Sequence, residues 1–155
     1  MKTYKLFREQ LLPIGITEAW DFFSSPANLS KITPQDMAFE IITHLENKPI
    51  YSGMKIEYKV RPMLNIPLRW TTEITNVDAP YKFADIQLKG PYSLWEHTHT
   101  FVTVPGGVKM TDEVRYALPL GWIGNLAHAI FVKKRLESIF DFREKSLNTF
   151  FSNNH

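Results

Sequence analysis

The sequence predicts an α+β fold in which an antiparallel sheet curls around one long C-terminal helix. Hydrophobic and polar residues alternate with a period of two in successive segments from Phe39 to Tyr116, which is typical of half-buried strands. After these segments, apolar residues recur at three- and four-residue steps from about Leu126 to Phe150, as on one face of a helix. At ~1.5 Å per residue such a helix spans roughly 37 Å, enough to cross a small domain.

The composition is that of one globular domain, predicted to span 1–155. Of the 155 residues, 44% are hydrophobic, which is enough to build a core without disulfides. The chain has no cysteine, so thiol chemistry is excluded and a reducing compartment is favoured. The first ten residues contain no apolar signal-peptide core. The net charge of +2 includes no block of like charges, unlike a nucleic-acid-binding surface. We therefore expect a cytoplasmic protein with no nucleic-acid partner.

Short elements are predicted before the main run of strands. Thr3 to Leu12 is predicted as the first strand. Thr17 has the side chain of a helix cap and begins a short helix. Ser25-Pro26 begins a second one, since proline is favoured at the first helical position, and Thr33-Pro34 ends it. The predicted order is therefore a strand, two short helices, further strands and the long helix.

On each later strand, the more apolar set of alternating residues is expected to face the helix. Those sets are Phe39 and Ile41; Ile56, Tyr58 and Val60; Leu68, Trp70, Thr72 and Ile74; and Ala84, Ile86 and Leu88. The opposite set on the last of these strands contains Phe83, Asp85, Gln87 and Lys89. Turns are predicted at Asp78-Ala79-Pro80 and Gly90-Pro91.

The last two strands are predicted to form a hairpin with a two-residue turn at Gly106-Gly107, since glycine tolerates positive φ. This turn would pair Phe101 with Asp112 and His99 with Val114. It would also pair His97 with Tyr116. The register places both apolar-rich sets on one buried face, as a core requires.

The segment from Ala117 to Val132 carries no charge and is interpreted as a loop that enters the long helix. It is shorter than the ~20 residues of a membrane-spanning helix, and Pro119, Gly121 and Gly124 interrupt it. Asn125 is predicted to cap the helix. The apolar side chains of this segment would then belong to the core or to a movable lid over an opening.

The order of elements and three stretches of sequence resemble the START-like superfamily. The stretches are FFSSPANLSKITP, GPYSLWEHTHTF and DEVRYALPLGWIG. This superfamily includes polyketide cyclases and dehydrases, lipid-transfer domains and small bacterial single-domain ligand-binding proteins, which the chain resembles most. The resemblance covers the whole chain. It implies a helix-grip fold, with a seven-stranded sheet around the C-terminal helix and an apolar cavity between them, but no common set of catalytic residues.

Candidate ligand-binding residues are the side chains expected to line that cavity. A wall of aromatic and apolar groups with a few polar ones is typical of a small-molecule pocket, and the alternative is a filled core. The candidates are Tyr58, Trp70, Thr72, Trp95, His97, His99, Phe101, Asp112 and Tyr116 on the sheet, and Phe131, Leu136 and Phe140 on the helix side.

His97, His99 and Asp112 are the polar centre of this set, because the predicted register brings them close together. Asp112 could orient His99 as a general acid/base, or the three groups could bind a metal. They could instead hydrogen-bond the polar end of a ligand, or form a structural pair between strands, which is the favoured interpretation. We expect no metal and no cofactor. Arg143 is a candidate carboxylate anchor but more often such a residue lies at the surface.

The main functional hypothesis is binding of a hydrophobic or aromatic small molecule, lipid- or polyketide-like, in the internal cavity. One alternative is a cyclase/dehydrase-type enzyme that uses His99 and Asp112 as an acid/base pair. Another is a lipid-exchange module whose 117–132 segment and neighbouring Lys133 and Lys134 touch a membrane surface at most transiently. A monomer and a homodimer both remain open.

Overall fold

The computed structural model describes residues 2–44, 49–61 and 66–152. They form a seven-stranded antiparallel sheet of order β1-β7-β6-β5-β4-β3-β2, together with a long C-terminal helix, as the sequence predicts. The strands are β1 (Tyr4–Leu12), β2 (Glu40–Ile41), β3 (Lys55–Val60), β4 (Leu68–Asp78), β5 (Lys82–Lys89), β6 (Leu94–Val104) and β7 (Gly107–Ala117). The helices are α1 (Ile16–Phe23), the 3₁₀ helices Pro26–Ile32 and Gln35–Met37, α2 (Gly121–Ala127), a π-helical stretch (His128–Val132) and α3 (Lys133–Ser152).

The C-terminal helix runs without a break through 121–152, so it begins earlier than predicted. Leu120 adopts a left-handed conformation with φ of 71° and turns the chain directly into the helix. Gly124 permits this tight entry, because a Cβ at that position would overlap the carbonyl oxygen of Pro119. Asn125 is therefore not the cap. It lies inside α2, where its Oδ1 accepts a hydrogen bond from the Tyr4 hydroxyl at 2.9 Å.

The β6–β7 hairpin turns at Pro105-Gly106 rather than at Gly106-Gly107, which shifts the predicted register by two residues. His99 is therefore paired with Asp112, His97 with Val114 and Trp95 with Tyr116. Proline favours the second position of such a turn, and Gly106, with φ of 92°, supplies the positive φ of the third. A shift of two preserves the faces, so the prediction that both apolar-rich sets lie on one side is confirmed.

Strand β5 presents the opposite face from the predicted one. Phe83 and Asp85 point to the interior, whereas Leu88 is 44% exposed. Asp85 faces Ile74 on β4 and His97 on β6, both of which are inward residues. Asp85 has polar partners in His97 and His99 on the inward face of the sheet. The rule that the more apolar set faces inward therefore predicts the wrong face of β5.

The N-terminal helices differ from prediction only in detail. Helix α1 is capped by Gly15, so Thr17 lies in its first turn instead of before it. The second helix is a 3₁₀ helix flanked by Ser25 and Thr33, as predicted, although the Ser25 side chain makes no capping hydrogen bond. The strand predicted from Phe39 is short, and only Glu40–Ile41 pairs with β3.

The interior between sheet and helix contains two hydrophobic clusters. The larger one includes Phe83, Phe101 and Leu147, and the smaller one includes Trp95 and Leu136. On the outside, the guanidinium of Arg8 on β1 bonds Asp141 of α3 at 2.6 Å and helps to hold the helix on the edge of the sheet. Within the described residues, no helix is both long and apolar enough to cross a membrane.

Candidate functional site

A cavity of about 180 Å³ lies beneath the C-terminal helix, and its lining draws on both hydrophobic clusters. Its apolar side is formed by β3, by β4 and by the first 3₁₀ helix, with residues such as Ile56, Tyr58, Leu29 and Ile32. Phe140 of α3 also contributes to the lining. A mostly apolar concave space with a few polar groups is the usual composition of a small-molecule site.

The polar side of the cavity is formed by Asp85 on β5 and by His97 and His99 on β6. Asp85 is directly paired with His97, and His99 lies two residues further on the same face. Nε2 of His99 is 3.2 Å from Oδ2 of Asp85. The two imidazole rings stack with their centroids 3.8 Å apart, and the ring of Phe83 covers the other side of His99 at 4.2 Å.

Asp112 and Arg143 support this polar wall from behind. Oδ1 of Asp112 lies 2.8 Å from Nε2 of His97 and 3.3 Å from both Nδ1 of His99 and Nη2 of Arg143. The contact with His99 lacks hydrogen-bond geometry, since its Nδ1 has no hydrogen-bond partner. Asp112 is 2% exposed and does not line the cavity, whereas Arg143 does. The guanidinium of Arg143 also lies 5.6 Å from the ring centres of Phe23 and Phe140.

Asp112 is ionised because its neighbours compensate for its burial. Burial alone would raise the pKa of its carboxyl group, but the charge of Arg143 and the contacts with His97 and His99 outweigh burial. Together they hold the pKa of Asp112 well below its usual value. The Asp112–Arg143 pair is therefore a fixed charge pair between β7 and the C-terminal helix, and the expectation that Arg143 lies at the surface is wrong.

The two histidines differ in their affinity for a proton. Burial and the adjacent ring of His99 lower the pKa of His97, although Asp112 acts in the opposite direction. Burial also opposes protonation of His99, but Asp112 and Asp85 outweigh it and raise the pKa of His99. A proton shared by the pair therefore resides on His99, between two carboxylates, and there it can be exchanged with a group in the cavity.

Further hydrogen-bond donors of the cavity wall have no partner among the described residues. They are the indole Nε1 of Trp70, the hydroxyl of Thr72 and Nε of Arg143. Trp70 and Thr72 share one face of β4. An unpaired buried donor costs roughly 1–3 kcal/mol, so a molecule that brings acceptor oxygens into this cavity gains by pairing with them.

The structure brings most of the predicted ligand-binding residues to the cavity. Those that line it are Tyr58, Trp70, Thr72, Trp95, His97, His99, Leu136 and Phe140. Phe101 packs in the larger hydrophobic cluster, and Asp112 lies behind the polar wall. Phe131 was predicted to line the cavity, but it lies on the outer side of the helix and is 55% exposed.

Tyr116 belongs to a separate group at the other end of the helix. Its hydroxyl lies 2.7 Å from Nε2 of His128, and the ring of His128 stacks on Tyr4 with a centroid distance of 3.4 Å. Burial and the charges of Tyr4 and Glu137 raise the pKa of Tyr116 to about 12, so the phenol is neutral. His128, which no sequence spacing singles out, is buried as part of this contact between β1, β7 and the helix.

Asp85 and Tyr92 are cavity residues that the sequence prediction missed. Alternation within β5 assigns Asp85 to the solvent face. The pairing of β5 with β6 instead places Asp85 opposite His97, which faces inward. Tyr92 lies in the turn between those strands and is held by Gln87, whose side chain bonds both backbone groups of Tyr92. No pattern in a short turn identifies such a residue.

The arrangement permits three kinds of chemistry. His97, His99 and Asp85 can orient the polar end of a ligand by hydrogen bonds. His99 can accept or donate a proton, with Asp85 rather than Asp112 as its partner on the cavity side. Asp85, His97 and His99 also offer one nitrogen or oxygen atom each, all within 4.8 Å of one another, as a possible metal-binding set.

Comparison with known proteins supports the fold and nothing narrower. No protein-family model matches the chain, and no curated protein matches its sequence. A crystal structure of a protein from Chromobacterium violaceum has a TM-score of 0.71 at 9% identity, covering 95% of this chain and 96% of that chain. A protein from Rhodobacter sphaeroides gives a TM-score of 0.70 at 14% identity, covering 97% and 93%.

A third crystal structure, of a protein from Mycobacterium smegmatis, has a TM-score of 0.65 at 17% identity and covers 94% of this chain and 92% of that chain. All three likenesses extend over almost the full length of both chains. At such low identities the three structures show a common architecture, but they do not indicate a ligand or a reaction for this chain. The chain thus shares the fold of several bacterial proteins, in which a seven-stranded antiparallel sheet is combined with a C-terminal helix.

Proposed function

We propose that this protein binds a small hydrophobic or aromatic molecule in the cavity between the sheet and the C-terminal helix. The observation that carries the proposal is a largely apolar cavity of about 180 Å³ with one polar wall at Asp85, His97 and His99. The resemblance to the START-like superfamily supports it, since members of that superfamily hold ligands in the corresponding space. Burial of apolar surface would supply affinity, and the polar wall would supply orientation.

The cavity volume restricts the size of the ligand. A protein cavity of roughly 150 Å³ accommodates benzene, so about 180 Å³ accommodates a molecule of about one aromatic ring or a short branched chain. A long acyl chain or a fused polycycle would exceed this volume, so it would have to extend out of the cavity or displace the helix or the first 3₁₀ helix. Within the lipid- or polyketide-like class, the geometry therefore favours a compact, one-ring compound.

The distribution of polar groups favours a ligand with one polar end. The polar wall lies on β5 and β6, whereas β3 and the first 3₁₀ helix form the apolar side, with β4 between them in the sheet. The unpaired donors of Trp70, Thr72 and Arg143 favour oxygen acceptors on the ligand. A phenol, an aromatic aldehyde or an aromatic carboxylic acid has this combination of ring and oxygen.

Native mass spectrometry of protein purified from its own host is the first test. A stoichiometric small-molecule adduct that is released on denaturation is the expected result. Its dissociation constant should then be compared between wild type, Leu29→Trp, which places a bulky ring in the cavity, and Leu11→Trp, which makes the same change on the exposed side of β1. The proposal requires that Leu29→Trp abolishes binding while Leu11→Trp retains it, and equal binding by both variants would refute it.

The same compound tests whether the cavity is catalytic. A binding protein returns the compound unchanged, whereas an enzyme of the cyclase/dehydrase type converts it. His99→Gln should lower turnover and alter its pH profile if His99 moves a proton, but only weaken affinity if His99 orients the ligand. Product analysis after incubation with substoichiometric protein decides between these outcomes.

We propose ligand exchange at an anionic membrane surface as a second candidate function. It rests on an apolar patch formed by Leu120, Trp122, Ile123, Leu126, Ile130 and Phe131, whose side chains are between 49% and 74% exposed. Exposed Lys133 and Lys134 follow the patch directly. A surface that combines large apolar side chains, a tryptophan and adjacent lysines suits insertion among anionic head groups.

Sedimentation with vesicles tests this second candidate. Binding is expected to vesicles that contain phosphatidylglycerol, to weaken with salt, and to be much lower with phosphatidylcholine alone. Trp122→Ala should reduce binding, whereas Phe7→Ala, an exposed aromatic residue on β1, should leave it unchanged. No association with the anionic vesicles at low salt would eliminate this function.

A further inference from the structure

Asp85, His97 and His99 bring three metal-binding side chains to one point on the cavity wall. Asp85 and His97 are directly paired across β5 and β6, and His99 follows on the same face. One nitrogen or oxygen atom of each residue lies within 4.8 Å of those of the other two. All three side chains line the cavity, so positions around such an ion would remain accessible from it.

We propose that these three residues bind a divalent transition-metal ion, such as Zn²⁺ or Fe²⁺, at the polar wall of the cavity. Two imidazoles and one carboxylate suit both ions, and three protein ligands leave coordination positions for water or for an oxygen of the ligand. The inference rests on the proposed function for the role of the ion as an anchor for that oxygen. Metal binding itself is argued independently of the proposed function.

The distance between His99 and Asp85 is close to that of two ligands on one ion. Metal–nitrogen and metal–oxygen bonds of about 2.0–2.2 Å separate neighbouring ligands by roughly 2.8–3.1 Å in octahedral geometry and roughly 3.3–3.6 Å in tetrahedral geometry. Nε2 of His99 and Oδ2 of Asp85 are 3.2 Å apart, longer than the roughly 2.7–2.9 Å of a strong charge-assisted hydrogen bond. The ligand atom of His97 lies within 4.8 Å of those of His99 and Asp85, so His97 would join the same ion through a side-chain adjustment.

Asp112 would orient His97 for metal binding by a hydrogen bond, and its charge lies beside the ring of His99. Metal-bound histidines usually direct their other ring nitrogen at a carboxylate. Nε2 of His97 contacts Asp112 at 2.8 Å, which leaves Nδ1 of that ring for the ion. Nδ1 of His99 faces the same carboxylate at 3.3 Å, which leaves Nε2 beside Asp85. Arg143 fixes Asp112 in turn, and this one carboxylate lies beside both rings.

The charges of the site favour a cation. Metal ligation requires both imidazoles to be neutral, so an ion would replace a proton held on His99. The two carboxylates of Asp85 and Asp112 then exceed the single positive charge of Arg143 by one. A bound divalent ion offsets that negative charge in an interior where uncompensated charge is costly. The charge of Arg143 is directed at Asp112, which lies between it and the two histidines.

Calorimetric titration of the metal-free, untagged chain with Zn²⁺ tests the inference, and the visible spectrum of the Co²⁺ form reports the coordination. One ion per chain is expected. Asp112→Asn should weaken binding by about 10–100-fold, and Asp85→Asn and His99→Gln should weaken it by more. His44→Gln removes an exposed histidine outside the cavity and should have no effect.

X-ray absorption of the wild-type Zn²⁺ form provides a readout that does not depend on the folding of any variant. It should show two imidazole ligands together with oxygen. Absence of stoichiometric uptake by the wild type would overturn the inference. Unchanged uptake by both Asp85→Asn and His99→Gln would overturn it as well, and so would loss of uptake in His44→Gln. Because no organic compound is present, failure of this test is distinct from failure of the proposed small-molecule binding.

Discussion

Asp112 illustrates how a charge becomes tolerable inside this protein. Its Oδ1 lies within 3.3 Å of nitrogens of His97, His99 and Arg143, which together replace the water it loses on folding. Such a charge contributes little compared with a well-packed apolar residue, but its removal leaves a partner without compensation. Asp112 and Arg143 therefore act as one unit, and replacing either alone should be far more damaging than replacing an exposed charge.

Asp112→Asn should lower the free energy of unfolding by about 3–5 kcal/mol, because the buried guanidinium of Arg143 loses its counter-charge. Urea denaturation at neutral pH measures the change. Glu113→Gln is the matched control: Glu113 is the next residue, and its half-exposed side chain pairs with Lys5 at 3.0 Å, so its loss should cost less than about 1 kcal/mol. Equal effects of the two substitutions would contradict this account. Combining Asp112→Asn with Arg143→Met should recover part of the loss.

His128 is another buried titratable residue, far in sequence from the cavity histidines. Burial lowers its pKa, and the positive charges of Lys133 and Lys2 add to the effect. The groups that face it from the packed elements are Tyr4 on β1, Tyr116 on β7, and Lys133 and Glu137 on the helix. Its ring is therefore neutral when it contacts the Tyr116 hydroxyl.

Protonation of His128 should destabilise the folded protein as the pH falls below its ordinary pKa of 6.5. Between that value and the lowered pKa of the folded state, the unfolded chain binds a proton that the folded chain does not, so stability decreases with decreasing pH. We expect wild type to lose more stability than His128→Gln between about pH 8 and pH 5. Chemical denaturation across this range measures the difference, and a difference independent of pH would show that His128 does not titrate in this way.

Site residues were predictable only where the alternation of residues along a single strand determines which way a side chain faces. His97 and His99 were identified because they are two residues apart on a clearly alternating strand, and the structure places both on the cavity wall. Asp85 was missed because an aspartate between apolar residues resembles a solvent-facing position. Its inward orientation depends on partners from a strand distant in sequence, which alternation within one strand does not encode.

At the scale of elements, the strands were predicted more reliably than their ends and connections. The pattern of the C-terminal helix is unbroken from Lys133 onward, but its first turns contain Gly121 and Gly124, which usually signal a loop. The steric needs of the entry from β7 explain these glycines. The hairpin register likewise depended on whether the turn is Pro105-Gly106 or Gly106-Gly107. Both turns leave the same residues of β6 and β7 on the inward face.

Gly124→Ala should destabilise the protein, although alanine is the better helix former by about 1 kcal/mol. The added Cβ would overlap the carbonyl oxygen of Pro119 and approach the Leu118 side chain at 3.1 Å, so the entry to α2 would have to shift. A loss of about 1–3 kcal/mol is expected from thermal or urea unfolding. Gly15→Ala is the control, since its Cβ meets nothing within 4 Å and its φ of −78° suits any residue, and it should be nearly neutral. A stabilised Gly124→Ala variant would show that α2 is held less tightly than this geometry implies.

For the molecule as a whole, the cavity follows from how the sheet and helix meet. The sheet contributes polar groups on β5 and β6 and apolar groups on β3, while the helix contributes Leu136, Ile139 and Phe140 from one face. The opposite face of the same helix is exposed at Ile130 and Phe131. One element therefore covers the cavity and presents an apolar surface to the outside, so the volume beneath it determines which ligands fit without rearrangement.

That volume leads to a prediction of size selectivity. Affinity should be highest for one-ring compounds and fall for those with three fused rings, because the larger ones exceed the cavity volume of about 180 Å³. Ile139→Ala removes a half-buried side chain from the cavity lining and should shift the preference towards larger compounds. Ile130→Ala makes the same substitution on the exposed side of the same helix and should not. Calorimetry with a graded series of phenols measures the preference. Tight binding of three-ring compounds by wild type, with faster hydrogen exchange in 121–132, would instead mean that the helix moves to admit them.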